Sequence, residues 1–128
     1  MTNPFLRRIE KRGDSGHGTV SERRLAKKIG ANLTPASGAI KSFKGDMKKQ
    51  VAGQKQLIES KSTKTMLMSV DYRWVNKIAT EALTTNSVPL LTLSFVTDEG
   101  KARPHGDLMC MPMWYYQELM EKLGNGVS

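Results

Sequence analysis

The order of hydrophobic and polar residues along this chain predicts three helices. Apolar residues recur at helical spacing in three segments, and each segment follows or begins with a residue that commonly opens a helix. The expected helices cover residues 20–29, 70–84 and 112–123. Thr19 and Ser69 are the expected N-caps of the first two helices, and Pro112 opens the third. The middle helix carries a broad apolar face.

Five further segments have the composition and alternation of β-strands. They cover residues 32–34, 46–52, 56–63, 90–96 and 108–111. Gly53-Gln54 is the expected turn of a hairpin between the second and third strands. Leu90–Val96 is mostly apolar, which is typical of a strand covered on both faces. The order α-β-β-β-α-β-β-α predicts an α/β or α+β domain with a central mixed sheet flanked by helices.

The chain divides into two parts of unequal size. Residues 1–18 are expected to form a flexible basic arm, because the basic head is followed by the glycine-rich tether Gly13–Gly18. Residues 19–128 are expected to form one domain, which is long enough to bury its own hydrophobic core. A loop of small residues at 35–39 is expected to be mobile.

The composition of the chain indicates what kind of partner it binds and in which cellular compartment it is expected. The formal net charge of +8 and the isoelectric point of about 9.8 point to an anionic partner. We expect no membrane association and no signal peptide, since no apolar run approaches the length of a span. The single cysteine, Cys110, excludes an intramolecular disulfide and fits a reducing cytoplasm.

The most informative motif is Asp46 with Glu59-Ser60-Lys61, which begins thirteen residues later. Because side chains on a strand alternate between faces, Glu59 and Lys61 are expected to point the same way. Two carboxylates and an ammonium gathered at one spot can hold Mg²⁺ and stabilise the charge that develops at a phosphodiester under attack. The alternative interpretation is an ion pair on a solvated sheet surface.

Basic residues cluster in the first 28 residues and again around this motif. Clusters on both sides of a candidate phosphodiesterase centre favour a surface that follows a nucleic-acid backbone. The candidate DNA-binding residues are Arg7, Arg8, Lys11, Arg12, Arg23, Lys27, Lys41, Lys44, Lys48 and Lys64. Aromatic residues do not interleave with these bases, so a stacking platform for single strands is disfavoured.

Taken in order, these motifs resemble those of the PD-(D/E)XK nuclease superfamily, and in particular the small archaeal and phage-type Holliday junction resolvases. The resemblance covers roughly residues 19–123. The matching parts are Glu22, Ser37-Gly38, Asp46, Glu59-Ser60-Lys61, the helix from residue 70 and the strand Leu90–Phe95. The chain departs from the family at Gly45, where a proline usually precedes the catalytic aspartate, and in its long arm.

The resemblance implies a restriction-endonuclease-like fold and a metal-dependent endonuclease that resolves four-way DNA junctions in the cytoplasm, or in the host cytoplasm if phage-encoded. The catalytic residues that it implies are Glu22, Ser37, Asp46, Glu59 and Lys61. Mg²⁺, for which Mn²⁺ would substitute, would be bound by Asp46, Glu59 and the backbone carbonyl of Ser60. From sequence alone, Glu22 fits a capping box equally well, and Ser37 fits a turn.

A resolvase must cut two strands, so we expect a homodimer, with Trp74 on the middle helix and Met66 and Met68 near it as candidate interface residues. Two other functions stay open at this point. One is a different nuclease of the same superfamily, acting on branched, damaged or foreign DNA. The other is a basic nucleic-acid-binding protein without catalysis, in which the motif residues are surface charges.

Overall fold

The structure of the protein is a computed structural model that describes residues 16–34 and 46–125. Its elements are α1 (Gly16–Ile29), β1 (Asn32–Leu33), β2 (Met47–Val51), β3 (Gln54–Thr63), α2 (Tyr72–Thr84), β4 (Val88–Val96), β5 (Ala102–Cys110) and α3 (Met113–Asn125). The predicted order α-β-β-β-α-β-β-α and the predicted mixed sheet are both confirmed, and the fold is α+β.

The five strands form one sheet in the order β1-β2-β3-β4-β5. Strands β3 and β4 are parallel and are joined by α2, whereas the other neighbours are antiparallel. The pairing of β2 with β3 ends at Met47 and Ile58, while β3 continues along β4 as far as Thr63. One edge of β3 therefore lacks a described partner strand from Glu59 onward.

The two faces of the sheet are covered by different helices. Ile58 and its neighbours pack against α1 and α3, where Leu25 and Tyr115 are buried. Leu57 points to the opposite face, as expected for the adjacent residue of a strand, and packs against Ile78 and Ala82 of α2. Since Glu59 has the same parity as Leu57, its side chain lies on the α2 face.

The turn between β2 and β3 lies one residue earlier than predicted. Val51 pairs with Gln54, so the two-residue turn is Ala52-Gly53 rather than Gly53-Gln54. Ala52 has φ 49° and Gly53 has φ 80°. Positive φ at both central residues defines a type I′ turn, whose twist matches that of the flanking strands.

Both predicted helix caps are wrong. Helix α1 begins at Gly16, so Thr19 lies inside it and the last residues of the predicted arm are helical. Helix α2 begins at Tyr72, and Asp71, not Ser69, is its N-cap. The carboxylate of Asp71 accepts a hydrogen bond of 2.8 Å from the N–H of Arg73. A charged acceptor satisfies a free N–H at a helix start better than a hydroxyl does.

Strand β5 is much longer than the predicted segment 108–111. Pro104 and Gly106 have the composition of a loop, which concealed the strand. The strand tolerates a proline because β5 lies at the edge of the sheet, and a register shift between Ser94 and Val96 accommodates His105 at φ 58°. Residues 1–15 of the predicted arm and the predicted loop at 35–39 lie outside the described residues.

A charged cluster attaches α1 to the edge strand β5. Asp107 of β5 accepts hydrogen bonds from both terminal nitrogens of Arg24, at 2.6 and 2.8 Å, and from the Ser94 hydroxyl at 2.8 Å. Lys28 adds a contact of 2.8 Å to the same carboxylate. The hydrogen bonds from Arg24 hold the pKa of Asp107 well below its usual range, although burial opposes this.

We expect Asp107→Ala to lower the free energy of unfolding by about 2–3 kcal/mol, because it leaves the half-buried Arg24 without its charged acceptor. Lys28→Ala is the control and should cost below about 1 kcal/mol, since the Lys28 side chain is 58 % exposed. Urea denaturation monitored by circular dichroism measures both.

The pH dependence of Asp107→Ala is a second readout of the same cluster. A carboxylate with a lowered folded pKa stabilises the fold above its unfolded pKa, and this contribution disappears as the pH falls through the folded value. The difference between wild type and Asp107→Ala should therefore be constant near neutral pH and shrink in strong acid. Equal losses for Asp107→Ala and Lys28→Ala would show that the Arg24 contact stabilises the fold no more than an exposed ion pair does.

Candidate active site

Asp46 is bound to the open edge of β3. Its backbone N–H donates to the carbonyl of Ile58 at 2.7 Å, and its carbonyl accepts from the N–H of Thr34 at 2.9 Å. Its carboxylate accepts a hydrogen bond of 2.7 Å from the backbone N–H of Ser60. The hydrogen bond to Ser60 fixes the carboxylate beside Glu59, so the structure brings the two acidic residues of the motif together.

Glu59 is buried and is paired with two lysines. Its side chain is 6 % exposed. Lys61 Nζ lies 3.4 Å from one carboxylate oxygen, and Lys77 Nζ of α2 lies 3.3 Å from the other. Lys61 Nζ also lies 4.9 Å from the centre of the Trp74 ring, a cation–π distance. Trp74 thus belongs to the site and helps to hold the lysine of the motif.

Lys77 belongs to the site although the sequence motifs did not include it. Burial alone would lower its pKa, but the negative charges of Glu59 and Glu81 outweigh burial, and the pKa is raised. A signal did exist: Lys77 and Glu81 are four residues apart, so they pair on one side of α2 beside the buried Ile78. Only the parallel β3-α2-β4 crossover, however, brings that side of α2 over Glu59.

Glu22 of α1 approaches the same edge of the sheet from the other side. Its pKa is raised from 4.5 to about 7 by burial and by the negative charges of Asp46 and Glu59, while Lys61 opposes the shift. The pKa of Asp46 is raised too, by burial and by Glu59, against the hydrogen bond from Ser60. The three carboxylates therefore act on one another electrostatically.

The capping-box interpretation of Glu22 is wrong. Because α1 begins at Gly16, Glu22 lies in the second turn of the helix, and the first turn contains no acidic residue. A side chain in the second turn cannot reach back to satisfy the N–H of an N-cap. Its half-buried position beside two other carboxylates disfavours its ionised form.

The donor atoms at this edge suit a hard cation. Within the described residues, no group of three or more Asp, Glu, His and Cys side chains is arranged to hold a metal ion. Mg²⁺, however, commonly takes one or two carboxylates and keeps several waters. Asp46 and Glu59 supply the carboxylates, and the Ser60 carbonyl lies on the same edge of β3 as the N–H that contacts Asp46. These three donors fit Mg²⁺.

The other predicted site residues fall into two groups. The residues outside the described part of the chain are Arg7, Arg8, Lys11, Arg12, Ser37, Lys41 and Lys44. The structure describes Arg23, Lys27, Lys48 and Lys64, and all four are exposed. Arg23 and Lys27 lie on α1, Lys48 lies on β2, and Lys64 directly follows β3.

Comparison with models of known protein families finds no match for this chain, and comparison with curated proteins finds none either. No helix in the described ranges is long and apolar enough to cross a membrane. The chemistry of the site and the fold are therefore the basis on which a function is inferred.

The raised pKa of Glu22 predicts that stability falls as the pH rises from about 4.5 to about 7. Between these values the folded chain binds more protons than the unfolded chain, which gives the free energy of unfolding a negative slope against pH. Glu22→Gln removes this titration. We expect the variant to gain about 1 kcal/mol relative to wild type between pH 4 and pH 8, after allowance for solvent screening.

Denaturant titrations across that pH range measure the effect, and Glu118→Gln is the matched control. Glu118 lies on α3 and pairs with Lys122 at 3.3 Å, and neither the pKa of Glu22 nor that of Asp46 depends on its charge. The free energy of unfolding of Glu118→Gln should change with pH in the same way as that of wild type. A Glu22→Gln curve parallel to that of wild type would show that neither burial nor the charges of Asp46 and Glu59 raise the pKa of Glu22.

Proposed function

We propose that this protein is a Mg²⁺-dependent endodeoxyribonuclease of the PD-(D/E)XK type, which hydrolyses phosphodiesters and resolves four-way DNA junctions. The observation that carries the proposal is the hydrogen bond from the Ser60 N–H to the Asp46 carboxylate. It joins the two separated acidic parts of the motif at one open strand edge. The confirmed element order supports the same assignment.

In this proposal the carboxylates of Asp46 and Glu59 and the carbonyl of Ser60 hold Mg²⁺, with Mn²⁺ as a substitute. The chemistry that the bound ion supplies is neutralisation of charge on the phosphate and activation of water. Lys61, held between Glu59 and Trp74, orients the attacking water or stabilises the charge that develops on the phosphate.

Two further residues take supporting roles. The Glu22 carboxylate, which interacts electrostatically with Asp46, Glu59 and Lys61, would accept a hydrogen bond from a water at this centre or position Lys61. Lys77 would exchange its contact with Glu59 for a contact with a phosphate oxygen when substrate is present. Its side chain is 56 % exposed, so it has room for that movement.

DNA binding would come mainly from the surface rather than from this centre. The net charge of +8 favours a polyanion, and the exposed bases of α1, β2 and the segment after β3 lie on or next to the elements that carry the site. Contacts of this kind fix the position of the backbone without reading base sequence. This accords with selection of DNA by its branched structure.

Asp46→Asn, Glu59→Gln and Lys61→Ala should each lower the cleavage rate by about 10²–10³, because each removes a charge that acts on the transition state. Binding of DNA should largely survive, since affinity comes from the basic surface. Cleavage should require Mg²⁺ or Mn²⁺ and fail with Ca²⁺. Gel assays on four-way, linear duplex and single-stranded DNA measure rate and preference together.

Lys122→Gln, on the distant surface of α3, is the control for these variants and should cut at the wild-type rate. Cleavage close to the wild-type rate by Glu59→Gln would refute the assignment of the centre. If four-way junctions are cut no better than nicked or otherwise branched DNA, the protein is a nuclease of the same type with a broader substrate.

A second function has one observation in its favour. Glu59 already has two lysine partners, so the cluster is also consistent with a buried ion-pair network in a basic nucleic-acid-binding protein without catalysis. The two functions differ in their response to metal. A non-catalytic protein would cut none of the substrates in Mg²⁺ or Mn²⁺, and Asp46→Asn would leave the effect of Mg²⁺ on its DNA affinity unchanged.

We further propose that the protein acts as a homodimer, and an apolar groove is the candidate interface. The groove has a volume of about 300 Å³ and lies between α2, the strands β4 and β5 and the start of α3. Its apolar lining includes Val75, Ala79, Leu91, Cys110 and Trp114. Trp114 is 52 % exposed in this groove. Of the interface residues expected from the sequence, Trp74 contacts Lys61 instead, and neither Met66 nor Met68 lines the groove.

The second copy is the expected occupant because junction resolution needs two cuts and each chain carries one candidate centre. Wild type should be a dimer at micromolar concentration by light scattering, and Trp114→Glu should be monomeric and nick junctions without resolving them. Met66→Glu, at a residue 82 % exposed, is the control and should remain dimeric. A monomeric wild type that cuts linear and branched DNA equally would reject the resolvase.

A further inference from the structure

A second cleft lies on the α2 face of the sheet, beside the candidate active site. It has a volume of about 340 Å³. Its polar lining includes Lys48, Lys49, Gln50, Lys55, Thr85 and Ser87. Leu57 also lines it. The cleft is therefore a depression lined mostly by polar and basic residues, built on the three strands β1, β2 and β3 and closed on one side by the end of α2.

The pairing of β2 with β3 places this cleft next to Glu59. Lys48 pairs with Leu57 and Gln50 pairs with Lys55, and side chains of directly opposed residues share a face of the sheet. Leu57 and Glu59 are two residues apart on β3, so they also share that face at a separation of about 7 Å. The cleft thus begins one strand repeat from Glu59.

The charges in the cleft are not balanced within it. The described lining contains three lysines and no acidic residue. Lys49 donates to the carbonyl of Ile29, but Lys48 and Lys55 form no ion pair with another described residue. Two ammonium groups facing one polar cleft favour a ligand with negative charge and several acceptor oxygens, such as a phosphate group.

We propose that this cleft binds a phosphate group of the substrate strand, adjacent to the phosphate that is cut. The proposal rests on the proposed nuclease function, since it takes Glu59 as the position of the scissile phosphate. A strand whose backbone reaches Glu59 would continue over β2 beside α2, because α2 covers Leu57. Lys48 and Lys55 would contact the next phosphate there. The hydroxyls of Thr85 and Ser87, 2.8 Å apart and hydrogen-bonded to each other, form the opposite wall.

The salt dependence of DNA binding tests this subsite directly. In EDTA, where no cleavage occurs, fluorescence anisotropy of a labelled four-way junction gives the slope of log K against log salt concentration. Each lost phosphate contact reduces that slope by about 0.9. The double variant Lys48→Gln/Lys55→Gln should therefore reduce it by about 1–2, whereas Lys122→Gln on α3 should leave it within about 0.3 of wild type. An unchanged slope in the double variant would overturn the proposal.

Inorganic phosphate separates a DNA subsite from a site for free phosphate. Titration of the ¹⁵N-labelled protein with phosphate should shift the amide signals of Lys48, Lys55 and Ser87 only weakly, at millimolar concentration. Strong, saturable shifts together with an unchanged DNA slope would assign the cleft to free phosphate and overturn its role on the substrate strand. Loss of fold in the double variant would appear in its circular dichroism, and Lys55→Gln alone, expected to reduce the slope by about 0.9, then decides the outcome.

The subsite and the nuclease can fail separately. If the double variant loses slope but the wild type cuts no DNA, the cleft binds a nucleic-acid backbone in a protein that is not a nuclease. If Glu59→Gln abolishes cleavage but the double variant keeps the wild-type slope, the nuclease stands and the subsite is rejected.

Discussion

The hydrogen bond between the Ser60 N–H and the Asp46 carboxylate is the contact on which the candidate site depends. Strand β2 stops pairing at Met47, so the N–H of Ser60 has no partner strand and needs another acceptor. Asp46 satisfies it and is thereby held at the open edge, one residue from Glu59. Without this contact Asp46 would be a strand-entry residue with a solvated side chain, and Glu59 would have no second carboxylate beside it.

The site concentrates charge at a cost in stability. Asp46 and Glu22 both have raised pKa values, because burial and neighbouring carboxylates disfavour their ionised forms. Lys61 and Lys77 form ion pairs with Glu59 and so offset part of the repulsion there. At Glu22 the positive charge of Lys61 only partly opposes the raised pKa. Unfavourable electrostatics that a fold tolerates are common at functional centres, where a ligand or substrate later compensates them. That pattern is what a cation-binding centre requires.

Local patterns were enough to predict the element order, the Asp46 and Glu59 motif and the shared direction of Glu59 and Lys61. Local patterns did not predict the contacts that depend on residues far apart in the sequence. The contacts of Lys77 with Glu59 and of Arg24 with Asp107 join residues far apart in sequence, and no periodicity signals them. The predicted last strand was too short because Pro104 commonly ends a strand, although a proline is tolerated in an edge strand such as β5.

Helix α2 separates the two surfaces to which binding is assigned. The basic cleft lies on one side of it, over β1, β2 and β3, whereas the apolar groove lies on the other, over β4 and β5. A DNA strand in the cleft and a second copy in the groove would therefore not compete for space. Lys77 and Trp74 lie on this same helix and contact the motif residues Glu59 and Lys61. The proposed interface and the proposed catalytic site would therefore share one helix, so that a second copy in the groove would lie directly behind the residues that contact the motif.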